Sequence, residues 1–305
     1  MNKAVRVLFA FLVALLIFAA AAKIINMTIE KSTWVDQNGR LNWPDRGAIK
    51  YTNTLIEDSE TYTESKVAFQ SKSATIYALM YQPKVPDSPA IIIAPAARAK
   101  KEGQDQFARA LADNGYAVFV LDQRGVGETV WPVKDPQEEL DSFMQKKEES
   151  TEQLMIYDIL KAFDVVRSIK GIDTNNIIVE GESMGGRFAM IAAAIEPRIK
   201  GVLIISSSGY GDITGPIQTY FDTVNPDKYV QLISPRKLVM FHSETDMVVS
   251  IASARATFDK ANEPKEFVEM PITCNHGNCD YIYPDIVKQL ESIRNTEFLN
   301  SDSDT

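Results

Sequence analysis

Ile177-Ile178-Val179-Glu180-Gly181-Glu182-Ser183-Met184-Gly185-Gly186-Arg187-Phe188-Ala189-Met190 is the stretch on which the fold turns. Residues 177–180 read as a strand, opened by the apolar, β-branched Ile177-Ile178-Val179. Residues 186–195 have helical spacing. Between them stands G-x-S-x-G, centred on Ser183. A serine carried on so sharp a strand-to-helix turn sits in strained backbone, and side chains two residues to either side would collide, hence the glycines. The helix that follows points its N-terminus at the serine, which favours negative charge developing there.

Working outward, strands and helices alternate. Residues 90–94, 117–122, 201–205, 237–241 and 265–270 read as strands, and 104–114, 153–169, 253–262 and 285–298 read as helices. Such alternation implies crossover units and a parallel sheet with helices on both faces. Upstream, 67–69 and 75–81, closed by Pro83, look like an antiparallel pair leading into that sheet. Two stretches break the rhythm, 129–150 and 206–236. Both follow strand ends, where the substrate loops of an open parallel sheet gather. The first reads equally well as a solvated connection; the second, with Tyr210, Tyr220 and Phe221, is expected to face substrate.

The chain has 305 residues and a formal net charge of −9, which argues against nucleic acid as a partner. Lys3 and Arg6 flank an apolar run of 16 residues from Val7 to Ala22, with small residues at Ala20 and Ala22. That is the pattern of a secretory signal peptide over residues 1–25, short of the roughly 20 residues that span a bilayer. Extended through Ile24, Ile25 and Met27, the same run would serve as an uncleaved membrane anchor. Either way the domain is expected to be exported, to the periplasm or cell envelope. Residues 26–64 are polar and weakly periodic and read as an N-terminal extension, which leaves 65–300 as the domain.

Serine is a poor nucleophile until a base takes its proton. The chain offers two histidines, His242 at the end of the 237–241 strand and His276 in the loop after 265–270. In a strand–G-x-S-x-G–helix architecture the catalytic residues follow in the order Ser, Asp or Glu, His. His276 satisfies that order, with Asp246 as the acid that orients it and Asp212 as the rival acid. Cys274 and Cys279 bracket His276. In an exported domain a disulfide is the default for them. Free thiols are the second reading, and a metal site with His276 is the third.

Asn114-Gly115-Tyr116-Ala117-Val118 and Asp122-Gln123-Arg124-Gly125-Val126-Gly127-Glu128 resemble the "G-Y-x-V … D-x-R-G-x-G" segment of the α/β-hydrolase superfamily. His242-Ser243-Glu244-Thr245-Asp246 resembles its "H-G-x-x-D". Over 90–298 the chain is similar to the compact dienelactone-hydrolase and prolyl-oligopeptidase-like group. The resemblance implies an α/β-hydrolase fold with a mostly parallel central sheet and little or no cap. It implies Ser183 as nucleophile, His276 as base, Asp246 as acid and His242 as a structural residue. The N–H of Met184 would form half of the oxyanion hole. The family's His-Gly after the first central strand is replaced by Ala94-Pro95-Ala96-Ala97-Arg98, so the second donor falls to the N–H of Ala97. Glu182 and Arg187 are expected as surface or helix-cap residues, with substrate contact as the alternative.

The function so implied is a serine hydrolase that cleaves an ester, thioester or amide of a small acyl substrate through an acyl-enzyme, with no cofactor and no metal. An envelope acyltransferase using the same triad and a non-catalytic binding protein on the same fold are the alternatives.

Overall fold

The computed structural model describes residues 34–296. Its elements begin with β1 (Tyr51–Asp58), β2 (Tyr62–Ser71), β3 (Ala74–Pro83), β4 (Ser88–Ala94), α1 (Asp105–Asp113), β5 (Ala117–Leu121), α2 (Pro136–Lys146) and α3 (Thr151–Ser168). They continue with β6 (Ile172–Glu182), α4 (Met184–Ile195), β7 (Gly201–Ile205), α5 (Gln218–Val224), β8 (Lys237–Ser243), α6 (Ile251–Lys260), β9 (Lys265–Met270) and α7 (Tyr283–Asn295).

Among the described residues nine strands form one sheet in the order β1-β2-β3-β5-β4-β6-β7-β8-β9. β1, β2, β3 and β5 pair antiparallel, and from β5 through β9 every pairing is parallel. The central strands are buried on both faces, which explains their unbroken apolar runs. Ile91, Ile93, Val118, Val120, Ile178 and Leu203 pack with Phe107 and Leu111 of α1 and with Ile286, Leu290 and Ile293 of α7. The alternate residues Ile92, Phe119 and Val179, equally buried, point to the opposite face. This is the α/β-hydrolase fold, and Ser183 lies at its centre, where β6 hands over to α4.

The sheet starts earlier than expected. β1 lies inside the stretch read as an N-terminal extension, and every one of its residues is exposed. A strand with neither face buried carries no apolar alternation, so nothing in Tyr51–Asp58 announces it. Residues 34–46 belong to a separate small unit. In it Val35 bridges Leu41 around a turn, where Asp36 Oδ1 accepts from Asn38 N at 2.7 Å and from Arg40 N at 2.9 Å. The expected signal or anchor segment, 1–25, lies outside the described residues. Among the described residues no helix is long and apolar enough to cross a membrane.

Both irregular stretches hold helices. α2, inside 129–150, starts at Asp135, whose Oδ1 accepts from Gln137 N at 2.8 Å, with Pro136 in its first turn. Its single buried residue is Phe143, so the apolar stripe that announces a helix is missing. α5, inside 206–236, meets it through Tyr220, whose ring centre is 5.4 Å from that of Phe143.

Candidate active site

Ser183 has φ 53° and ψ −116°, a positive φ that strains any residue other than glycine. Its N–H is tied to Ile205 O at 2.9 Å, which fixes the turn to β7. The two glycines of the motif are explained by contact. A Cβ on Gly181 would stand 2.6 Å from Gly185 O, and one on Gly185 would press on Ala94 O and stand 2.5 Å from Pro95 O. The loop between β4 and α1 therefore lies directly against the turn that carries the serine.

Three residues far apart in the chain meet there. His276 Nε2 is 3.0 Å from Ser183 Oγ, and His276 Nδ1 is 2.8 Å from Asp246 Oδ2 and 3.0 Å from Oδ1. With Nδ1–H donating to the carboxylate, Nε2 is left as the acceptor for the serine hydroxyl. Asp246 follows β8, and its Oδ1 also accepts from Val248 N at 2.8 Å and Val249 N at 2.9 Å. Burial works to raise the Asp246 carboxyl. The hydrogen bonds from Val249, His276 and Val248 outweigh it and hold the group below the ordinary carboxylate range. His242, fully buried on β8, donates Nε2–H to Val249 O at 2.8 Å, and burial depresses its protonation. It braces the Asp246 turn. Asp212 stands apart, its side chain 84% exposed and facing Lys260 at 3.4 Å.

Cys274 and Cys279 are joined in a disulfide with Cα atoms 5.7 Å apart, enclosing His276. That replaces both the free-thiol and the metal readings of this loop, because neither sulfur remains a thiolate. Gly277 N donates to Ser206 Oγ at 2.9 Å, and Thr245 Oγ1 donates to Ile272 O at 2.8 Å, so the loop is pinned on both flanks.

Met184 and Ala97 line the same cavity of about 670 Å³, together with Arg98, Trp131, Glu152 and Tyr210. The strand-end loop carrying Ala97 is anchored by Lys101, whose N and Nζ reach Asp122 at 2.9 and 2.6 Å in a buried pair. Gln123 Nε2 also donates to Pro95 O. Nothing in the sequence pattern marked that network or Glu152. The carboxylate of Glu152 accepts from the hydroxyls of Tyr210 and Tyr220, each at 3.2 Å, and burial raises its pKa against those hydrogen bonds. Arg187, expected on the surface or at the helix cap, is instead tied into the wall. Its guanidinium lies 4.4 Å over the Tyr210 ring and donates to Ser208 O at 3.1 Å. Glu182, expected in the same role, is half-buried and accepts from Gln104 Nε2 at 3.1 Å.

A mostly parallel sheet of this order, with a strained serine where its central strand enters a helix, defines an α/β-hydrolase. Within that superfamily the chain belongs to the acetyl xylan esterase (AXE1) family, whose model matches residues 48–207, just over half its length. The matched segment contains Ser183 and ends before Asp246 and His276. The chain is 22% identical over 169 residues to the uncharacterized protein YfhR of Escherichia coli O157:H7, covering 53% of this chain and 54% of that protein. The chain thus spans about half the length of the curated relatives it matches. Among solved structures it superposes on an acetyl xylan esterase from Paenibacillus sp. R4 with a TM-score of 0.67 at 18% identity, over 81% of this chain and 89% of the other. A glucuronoyl esterase from Solibacter usitatus gives 0.60 at 12%, over 82% and 87%. At these identities the likeness is one of fold.

Proposed function

We propose that the protein is a carboxylic-ester hydrolase working through an acyl-enzyme on Ser183. The observation that carries this reading is the unbroken chain Asp246–His276–Ser183, with contacts of 2.8 and 3.0 Å. Ser183 Oγ attacks the acyl carbonyl as its proton passes to His276 Nε2. Asp246, accepting from Nδ1–H, stabilises the imidazolium. The N–H groups of Met184 and Ala97 receive the oxyanion, each such donor being worth roughly 3 kcal/mol of barrier. His276 then returns the proton to the departing alcohol. Water repeats the sequence on the acyl-enzyme and releases the acid.

Family membership supports an ester over an amide. The family and the fold neighbour named acetyl xylan esterases support a short acyl ester on a carbohydrate alcohol. A fluorophosphonate probe should label Ser183, and Ser183→Ala should abolish labelling; labelling that persists in the mutant rules the nucleophile out. An ester chain-length series is expected to peak at acetate, and a peak at long chains would remove the substrate assignment. Export belongs to the same reading, since the Cys274–Cys279 bridge suits an oxidising compartment. Recovery of the protein in the cytoplasm with both thiols free would remove that part.

A further inference from the structure

Glu182 immediately precedes the serine, yet its carboxylate lies against the loop that carries His276. Gly277, at φ 86°, comes so close to Glu182 Oε1 that a Cβ on it would overlap that oxygen. The N–H of Asn278 donates to the same carboxylate, and Gln104 Nε2 donates to Oε2 at 3.1 Å. A glycine directly after His276 is therefore required twice, for its left-handed backbone and for the room the carboxylate takes.

We propose that Glu182 is a positioning residue for the acyl transfer: it clamps the backbone that follows His276, and its negative charge stabilises the imidazolium formed when Ser183 gives up its proton. The inference rests on the reading of Ser183 as nucleophile and His276 as base. The proton moves only from Ser183 Oγ to His276 Nε2, and Glu182 neither takes nor gives one. Asp246 meets the imidazole edge-on at Nδ1. Glu182 adds a second negative charge from the loop side, and between partly buried groups such a charge is weakly screened.

Two further titratable groups feel that charge, Glu180 and Tyr283. Glu180, two residues earlier on β6 and only 3% exposed, has its carboxyl raised well above its ordinary value, by burial first and then by the charge of Glu182. Burial pushes the Tyr283 hydroxyl up to about 12, so it carries no charge near neutral pH. For Glu182 itself burial raises the pKa, opposed by the hydrogen bonds from Gln104 and Asn278 and by the charge of His276.

Glu182→Gln separates the two parts of the role, because the amide oxygen can still accept from Asn278 N–H, and Gln104 can turn its own amide to accept from the new NH₂, while the charge is gone. The expected result is a KM within about twofold of wild type, an unchanged melting temperature and a kcat lower by roughly tenfold. The acid limb of the kcat/KM profile should move to lower pH, since the imidazolium has lost a stabilising partner. Glu182→Asp, which keeps the charge, should retain the wild-type acid limb. A Glu182→Gln enzyme with wild-type kcat and pH profile overturns the proposal, as does a Glu182→Asp profile that coincides with that of Glu182→Gln. If Ser183→Ala abolishes probe labelling in the same series, such a result removes the role of Glu182 alone. If labelling persists there, the site reading falls first.

Discussion

Replacing Asp246 by asparagine tests the relay at its most constrained atom. Asp246 Oδ1 accepts from both Val248 N and Val249 N, at 2.8 and 2.9 Å. The amide of the variant must keep its oxygen there, which turns its NH₂ towards His276 Nδ1, where Oδ2 stood at 2.8 Å. Nδ1 then becomes an acceptor, and the imidazole proton moves to Nε2, the atom facing Ser183 Oγ. The base is lost although no contact distance changes. Loss of the orienting carboxylate in a serine triad costs about 10⁴ in kcat, or about 5.4 kcal/mol of barrier. The assay is kcat/KM on 4-nitrophenyl acetate beside the rate of fluorophosphonate labelling, with the melting temperature recorded to show that the fold persists. The carboxyl of Asp246 is held below its ordinary range, so its contribution to stability is complete above about pH 4 and disappears as the pH falls through the lower folded value. The melting temperature of Asp246→Asn should accordingly fall less than that of wild type on acidification below about pH 4. Asp212→Asn, at an exposed site facing Lys260, should leave kcat/KM within about twofold. If Asp246→Asn keeps more than about a hundredth of wild-type kcat/KM, or if Asp212→Asn causes the larger loss, the acid has been misassigned.

Two further outcomes follow from packing. In Gly185→Ala the new Cβ meets main-chain oxygens of Ala94 and Pro95, which cannot swing aside as a side chain would. Destabilisation of about 1–3 kcal/mol is expected, together with slower probe labelling as the Pro95–Ala97 loop is displaced; a wild-type melting curve would contradict the contact. In Cys274→Ser/Cys279→Ser the short loop around His276 is released. The chain-entropy contribution is about 2 kcal/mol, or roughly 4–8 °C in melting temperature for a domain of this size. Because the loop carries His276, kcat should fall more than KM rises, and a variant unchanged in both would show that the bridge does not aim the imidazole.

Much of the fold is written in local pattern. The apolar runs of β4, β5, β7 and β8 are continuous because helices cover both faces, and continuity can be read without knowing what covers them. β1 escaped because it buries neither face, and α2 because Phe143 is its single buried residue. Periodicity reports burial, so elements that bury little leave no trace in it. The site divides in the same way. Ser183 was legible because the strand, the G-x-S-x-G spacing and the helix lie together in the chain and Gly181 answers contacts with Gly185, Gly186 and Ala189, whereas Glu152 and Lys101 acquire meaning from Tyr210, Tyr220 and Asp122, which are distant in sequence.

The sequence by itself determined that a serine stands on a strand-to-helix turn at the centre of a parallel sheet, because the apolar strand, the G-x-S-x-G spacing and the helix that follows are contiguous in the chain. It also restricted the base to one of two histidines. Only the tertiary structure decided that Asp246, not Asp212, faces His276, that the two cysteines are joined, and that Glu182 turns from the serine towards the histidine loop. Each of these depends on which strand ends lie side by side, and sheet order is set by contacts between residues tens of positions apart, which no local pattern encodes.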